Sequence, residues 1–207
     1  MGFYSEHLFP PLLDWATRPF YRDRQRLIAR AHGRVLEIGA GSGANLPLYG
    51  PQATEVHALE PDPALMRRAR GPARDGDAPH RFRLVRGDAQ RLPYPDGHFD
   101  TVVACLVLCT IADADRAARE MRRVLADDGE LLILEHVLAE RPGAQRWQRR
   151  LNPLWHRLAC GCQLTRATDT TLAEAGFDLT GVRRFRHRKV PGFIGDMLEG
   201  SATVRIP

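Results

Sequence analysis

The chain has 207 residues, a size that suits one domain burying roughly 70% of its unfolded surface. It contains no apolar run of about 18 residues and no basic segment followed by an apolar core, so neither a spanning helix nor a signal peptide is expected. The formal charge of +5 is almost wholly arginine, with Lys189 the only lysine, and no recognisable nucleic-acid module accompanies it. The clusters at Arg67–Arg70, Arg146–Arg150 and Arg183–Lys189 read as solvated faces, with weak peripheral contact to an anionic membrane surface as the second reading. Nucleic acid is not an expected partner.

Met1 to His32 carries Phe3, Leu8, Phe9, Leu12, Leu13, Trp15, Phe20 and Tyr21 around Pro10-Pro11. Helical pieces flanking those prolines are expected, lying as a lid over the ligand end of a sheet or facing a membrane. Val35, Leu36 and Ile38 then form a buried strand, interrupted by Gly39, Gly41 and Gly43. Glycine permits positive φ and close backbone approach, so this turn is where a nucleotide-like ligand should lie. Asn45, Leu46 and Leu48 read as the short helix that follows. Gly39-x-Gly41-x-x-Ala44 also fits the dinucleotide fingerprint, but Glu37 would repel a pyrophosphate. An acidic loop suits a ligand carrying an ammonium and a sulfonium.

The second strand, Glu55 to Glu60, ends on a carboxylate able to accept both hydroxyl hydrogens of a ribose. A turn at Pro61-Asp62-Pro63, a helix from Ala64 to Arg70 and a polar loop from Gly71 to Pro79 follow. The third strand is Arg81 to Arg86 and the fourth Thr101 to Cys105. Asp115 to Leu125 has helical apolar spacing, Gly129 ends a turn, and Glu130 to Val137 is the fifth strand. Ala144 to Ala159 is a helical insertion with Trp147, Leu151, Leu154, Trp155 and Leu158 on one stripe, read as core, which Pro153 should kink or restart. A helix over Thr168 to Ala175 is capped by Gly176, and Phe177–Arg188 with Gly200–Ile206 form the last antiparallel pair. The four cysteines, Cys105, Cys109, Cys160 and Cys162, lack zinc-ribbon spacing, so no metal site is expected, and reduced thiols in the cytoplasm are the default.

Glu37-x-Gly39-x-Gly41-x-Gly43 resembles the first motif of class I S-adenosylmethionine (SAM)-dependent methyltransferases. The resemblance implies a Rossmann-like α/β fold, a mixed seven-stranded sheet with six strands parallel and one antiparallel, and helices on both faces. It implies a single domain over residues 1–207, with residues 1–32 a lid and residues 142–166 a substrate-side helical insertion. For SAM, with S-adenosylhomocysteine as product, it implies contacts from Glu37, Gly39, Ala40, Gly41, Gly43, Asn45, Glu60, Pro61, Asp88, Ala89, Cys105 and Leu106. In this class Asp88 would accept from the adenine amino group. The loop Leu92 to Asp100 is similar to that of quinone-biosynthesis methyltransferases. Leu125-Ala126-Asp127-Asp128-Gly129 departs from the usual L-x-P-G-G.

Four further stretches, Cys105–Thr110, Glu135–Val137, Asn152–Trp155 and Gly161–Arg166, resemble in this order the methyltransferase-like seven family of thiol S-methyltransferases and its bacterial relatives. The implied acceptor is a small, uncharged or hydrophobic thiol or sulfide. Methyl transfer from a sulfonium is an in-line displacement, and a thiol is already partly ionised at neutral pH, so a histidine or a positive field suffices as assistance. His136, at the end of the fifth strand, is the candidate catalytic group; His156, Cys162 and Arg166 are substrate-side candidates, and Cys109 either lines the pocket or is an inert buried thiol. Two rivals stay open: an N- or C-methyltransferase acting on a phospholipid head group or quinone precursor, and a non-catalytic SAM-binding protein associated with membranes. The oligomeric state is not readable from the sequence.

Overall fold

A computed structural model describes residues 8–74 and 81–205. Phe3, the part of the polar loop at residues 75–80 and Ile206 lie outside the described residues. Five strands, β1 (Gly33–Ile38), β2 (Ala53–Leu59), β3 (Arg81–Val85), β4 (Phe99–Cys105) and β5 (Leu125–His136), form a parallel sheet in the order β3-β2-β1-β4-β5. The antiparallel β8 (Asp196–Val204) pairs with β5, and β6 (Phe177–Asp178) and β7 (Val182–Arg186) both pair with the other edge of β8.

The sheet therefore has eight segments rather than the seven expected, because the sixth strand position is broken. The cause is local. Asp178 Oδ1 accepts from both the Thr180 amide (3.0 Å) and hydroxyl (2.7 Å), turning the chain, and an added Cβ at Gly200 (φ +151°) would overlap the Gly181 carbonyl. The pieces β6 and β7 run with the parallel set, so six positions are parallel and β8 alone opposes them. The final strand begins at Asp196, four residues earlier than the sequence suggested.

Alternation along the strands builds two cores. Leu36, Ile38, Val102, Leu131 and Ile133 face α4 (Ala114–Val124) and α6 (Thr168–Glu174), with Met121, Val124 and Leu172 packed on them. Val35, Val56, Val103, Leu132 and Leu134 face the opposite side, covered by Leu27 and Ile28 of α2 (Tyr21–Ile28). Asp113 caps α4 by accepting from the Arg116 amide at 2.9 Å. The chain then passes directly from Val124 into β5, and Gly129 lies inside that strand, where a Cβ would collide with the Asp100 carbonyl.

Two expectations about the helices are corrected. Pro10 and Pro11 do not separate helices; proline occupies the first turn of α1 (Phe9–Ala16), where a missing N–H costs nothing. Likewise α5 (Pro142–Leu158) runs unbroken through Pro153, and its stripe is not core: Trp147 is 61% exposed and Leu154 61%, while the fully buried residue is Gln148. Gln148 accepts from the Ala139 amide (2.8 Å) and donates to the Val137 carbonyl (3.0 Å), satisfying backbone groups left unpaired where β5 ends. Among the described residues, no helix is long and apolar enough to cross a membrane.

Candidate active site

The strand order reverses at β1, so the crevice above the C-terminal ends of β1, β2 and β4 is the ligand position such a sheet provides. Gly39, Gly41 and Gly43 follow β1 with φ of +63°, +58° and +82°. Two of these glycines are forced by packing: a Cβ on Gly39 would overlap Val107 Cγ2, and one on Gly43 would press on Ala69 Cα at 3.1 Å. Gly41 differs, since a Cβ there would meet only the Gly39 carbonyl at 4.0 Å, leaving the space over the turn clear.

Glu60, at the end of β2, ties the turn to the next strand. Its Oε2 accepts from the Gly41 amide at 2.9 Å and its Oε1 from the Asp62 amide at 2.9 Å, across Pro61. Burial pushes its pKa up against those two hydrogen bonds. A carboxylate offers about four lone-pair sites, so each oxygen keeps one for a ribose hydroxyl. Asp62 in turn caps α3 (Pro63–Ala69) through the Ala64 amide at 2.6 Å.

Glu37 sits under the turn and is buried. Asn45 Nδ2 donates to its Oε1 at 2.8 Å and the Tyr49 hydroxyl to its Oε2 at 3.0 Å. Burial raises its pKa to about 7, with the Asn45 and Tyr49 hydrogen bonds opposing the rise. Asn45 Oδ1 is buried with no partner among the described residues. An acceptor in that state beside a carboxylate fits an incoming ammonium, as SAM carries. Asp88 is exposed after β3, its Oδ1 taken up by the Gln90 amide at 2.9 Å, and Ala89 is buried beside it. The residues present therefore fit SAM: a clear turn, a ribose acceptor and an unpaired ammonium acceptor.

The exit from β4 is shaped by a group that sequence reasoning passed over. Leu106, after the half-buried Cys105, adopts φ +56°, an unusual conformation for leucine, and donates to the Leu134 carbonyl at 2.8 Å. The next two amides, Val107 and Leu108, both donate to Glu135 Oε1, at 2.6 and 2.8 Å. Burial raises the Glu135 pKa to about 7 against those bonds. Its signal in the sequence is a glutamate inside the apolar run Leu131–Val137, where a charge needs an internal partner.

The four substrate-side stretches converge beside this turn. Cys162 Sγ lies 3.1 Å from His136 Nε2, 3.2 Å from Trp155 Nε1 and 3.5 Å from Cys109 Sγ. Asn152 Oδ1 accepts from the Leu164 amide (2.7 Å), the Cys109 carbonyl from the Gln163 amide (2.9 Å), and the Ile111 carbonyl from Arg166 (2.6 Å). Cys109 and Trp155 hydrogen bonding, and the His136 ring, lower the Cys162 pKa against burial. Burial opposes protonation of His136, and the hydrogen bond with Cys162 overcomes it, raising the histidine. The bond with Cys162 and burial push the Cys109 thiol up. His136 is thus engaged through Cys162 rather than free. His156 is outside this cluster: it is exposed, with Nδ1 3.0 Å from the Gly161 carbonyl.

Over the glycine turn, Asp14 of α1 accepts from the Ser42 hydroxyl at 2.6 Å and pairs with Arg68 at 3.4 Å, anchoring the N-terminal helix to both sides of the turn.

A family described as a methyltransferase domain matches residues 36–133. The human thiol S-methyltransferase TMT1B is 37% identical over 186 residues, 84% of this chain and 75% of that protein. Human thiol S-methyltransferase TMT1A is 34% identical over 145 residues, 69% of this chain but only 59% of the relative's length. The crystal structure of the YcgJ protein from Bacillus superposes with a TM-score of 0.65 at 24% identity, over 81% of this chain and 70% of that one, a likeness of fold. With the glycine turn, Glu60 and the strand order in agreement, the chain belongs to the class I SAM-dependent methyltransferases.

Proposed function

We propose that the protein transfers the methyl group of SAM to the sulfur of a small thiol. The observation that carries this reading is the buried Cys109–His136–Cys162 cluster beside the β4 exit turn. SAM supplies an electrophilic methyl carbon. The chain supplies position: Glu60 and Asn45 hold the cofactor, and the Leu106–Leu108 turn, braced by Glu135, fixes the floor on which the acceptor sits.

The surroundings favour sulfur over nitrogen as nucleophile. A protonated amine would have to shed its charge and hydration to react in a buried site, whereas a thiol with pKa near 8.5 needs little help. In that cluster the His136 ring lies against Cys162 and, against burial, its pKa is raised by that bond, an environment that favours a sulfur anion beside an imidazolium. Trp155 faces the cluster, while Trp15 and Trp147 are exposed. The test is a screen with S-adenosylhomocysteine readout across hydrogen sulfide, alkyl and aryl thiols, phosphatidylethanolamine and a quinone precursor. Turnover on thiols supports the reading; turnover on the lipid or quinone precursor with none on any thiol refutes it.

A further inference from the structure

His136 at the end of β5, Cys109 in the turn after β4 and Cys162 in the turn after α5 bring one donor atom each within 4.8 Å of one another, all in buried side chains. No metal is expected here from the spacing of the cysteines. We infer that this cluster is a zinc site with three protein ligands and one position left for an incoming sulfur.

Geometry is the first argument. Bond lengths of about 2.3 Å to sulfur and about 2.0–2.1 Å to nitrogen place tetrahedral donors roughly 3.5–3.8 Å apart. Two of the three separations, 3.1 Å from His136 Nε2 to Cys162 and 3.5 Å between the two sulfurs, need adjustments of a few tenths of an ångström, and the third, between Cys109 and His136, lies within 4.8 Å. The donors are also held by backbone bonds independent of any metal: Gln163 N to the Cys109 carbonyl at 2.9 Å, and Cys162 N to the Ala159 carbonyl at 3.0 Å.

Charge is the second. Two thiolates and one neutral imidazole cancel the charge of a zinc ion, so the filled site buries no net charge. Trp155 Nε1–H, 3.2 Å from Cys162 Sγ, is the outer donor that metal thiolates commonly carry. His136 Nδ1 then keeps the ring proton, buried and without a partner among the described residues.

A Cys109–Cys162 disulfide is the competing outcome. It would leave both His136 Nε2 and Trp155 Nε1–H aimed at a sulfur that accepts hydrogen bonds poorly. A set of two Cys and one His with an open fourth position belongs to catalytic rather than structural zinc.

What the fourth position takes rests on the thiol reading above; the metal binding does not. An acceptor R–SH would bind through sulfur and lose its proton to solvent. The resulting thiolate forms the new S–CH3 bond as the methyl–sulfonium bond breaks, its electron pair staying on the cofactor sulfur. The neutral thioether is a weak ligand and leaves.

The test uses the whole protein, reduced, stripped with chelator and titrated with cobalt(II) as a spectroscopic probe, with zinc content measured separately. One metal per chain is expected, with tetrahedral cobalt bands, sulfur-to-cobalt charge transfer, and a shift of those bands on adding an alkyl thiol. Cys109→Ser and Cys162→Ser should each weaken binding by more than about 100-fold, and Trp155→Phe, which keeps all three ligands, by about 10-fold. Substoichiometric metal in the reduced wild-type protein, or cobalt bands unchanged in Cys162→Ser, overturns the site. A Cys109–Cys162 disulfide in the isolated protein that yields no metal uptake after reduction also overturns it. Bands unmoved by thiol refute the open position. Thiol methylation by metal-free protein at the rate of the metal-loaded protein refutes the role of the fourth position while sparing the acceptor assignment; stoichiometric metal without thiol methylation spares the site and refutes the acceptor.

Discussion

Glu37→Gln removes one charge from under the glycine turn while keeping the shape of the side chain. The amide retains an oxygen for Asn45 and gains an N–H that the Tyr49 hydroxyl oxygen accepts. In the wild-type protein the carboxyl rises from 4.5 to about 7 because it is buried. A group whose folded pKa is raised contributes stability that is complete below its unfolded value and lost as pH rises through the folded one. Here that window runs from 4.5 to about 7. The shift corresponds to about 3 kcal/mol. The substituted protein cannot ionise at this position, so its stability relative to wild type should climb by about 3 kcal/mol across the window. At about 2–4 °C per kcal/mol for a chain of this size, the two melting temperatures should diverge by about 6–12 °C between acid and alkaline pH. Urea titrations at several pH values measure the same difference directly. SAM binding near neutral pH should also release up to about half a proton from wild type and none from the variant, read by calorimetry in two buffers of different ionisation enthalpy. Parallel stability curves for the two proteins would refute the buried, proton-holding reading of Glu37.

Glu60→Ala should weaken SAM binding by about 1–3 kcal/mol, because it deletes the ribose acceptor together with the Gly41 tether; an unchanged Kd would place the ribose elsewhere. Gly39→Ala and Gly97→Ala have nearly the same φ, +63° and +62°, but only the first meets an obstacle, Val107. Gly39→Ala should therefore lose more stability than the roughly 1–2 kcal/mol left-handed cost common to both, and equal melting temperatures would mean that Val107 simply moves aside. His136→Ala should lower activity more on alkyl thiols of high pKa than on acidic aryl thiols, since only the former depend on assisted ionisation; equal loss on both would make His136 structural.

The glycine turn and its tie to the second strand were legible because their determinants are local. Gly39, Gly41 and Gly43 fall within five residues and Glu60 closes the very next strand, so spacing alone carries the geometry. The parallel strands were legible for the same reason, as short apolar runs each followed by a turn. The acceptor side was not readable from spacing. Cys162 lies 26 residues from His136 and 53 from Cys109, and only the fold brings them together. The resemblance pointed at all four stretches without saying that they touch. Glu135 was overlooked because an acid in an apolar strand looks like noise until its partners, the Val107 and Leu108 amides, are seen. The α5 stripe misled for a different reason: apolar spacing marks a face of the helix but not what packs on it, and here the helix is fastened by Gln148, leaving Trp147 and Leu154 exposed. The broken sixth strand depends on an Asp178 turn and the close approach of Gly181 to Gly200, which no periodicity encodes.

The proposed destination of the methyl group is a sulfur atom. SAM labelled with carbon-13 in its methyl group, offered with equal amounts of an alkyl thiol, an amine and a quinone precursor, tests it in one reaction followed by NMR. The label should appear as an S-methyl signal of the thioether, in step with S-adenosylhomocysteine. Label found on nitrogen or carbon, with the thiol untouched, would contradict it.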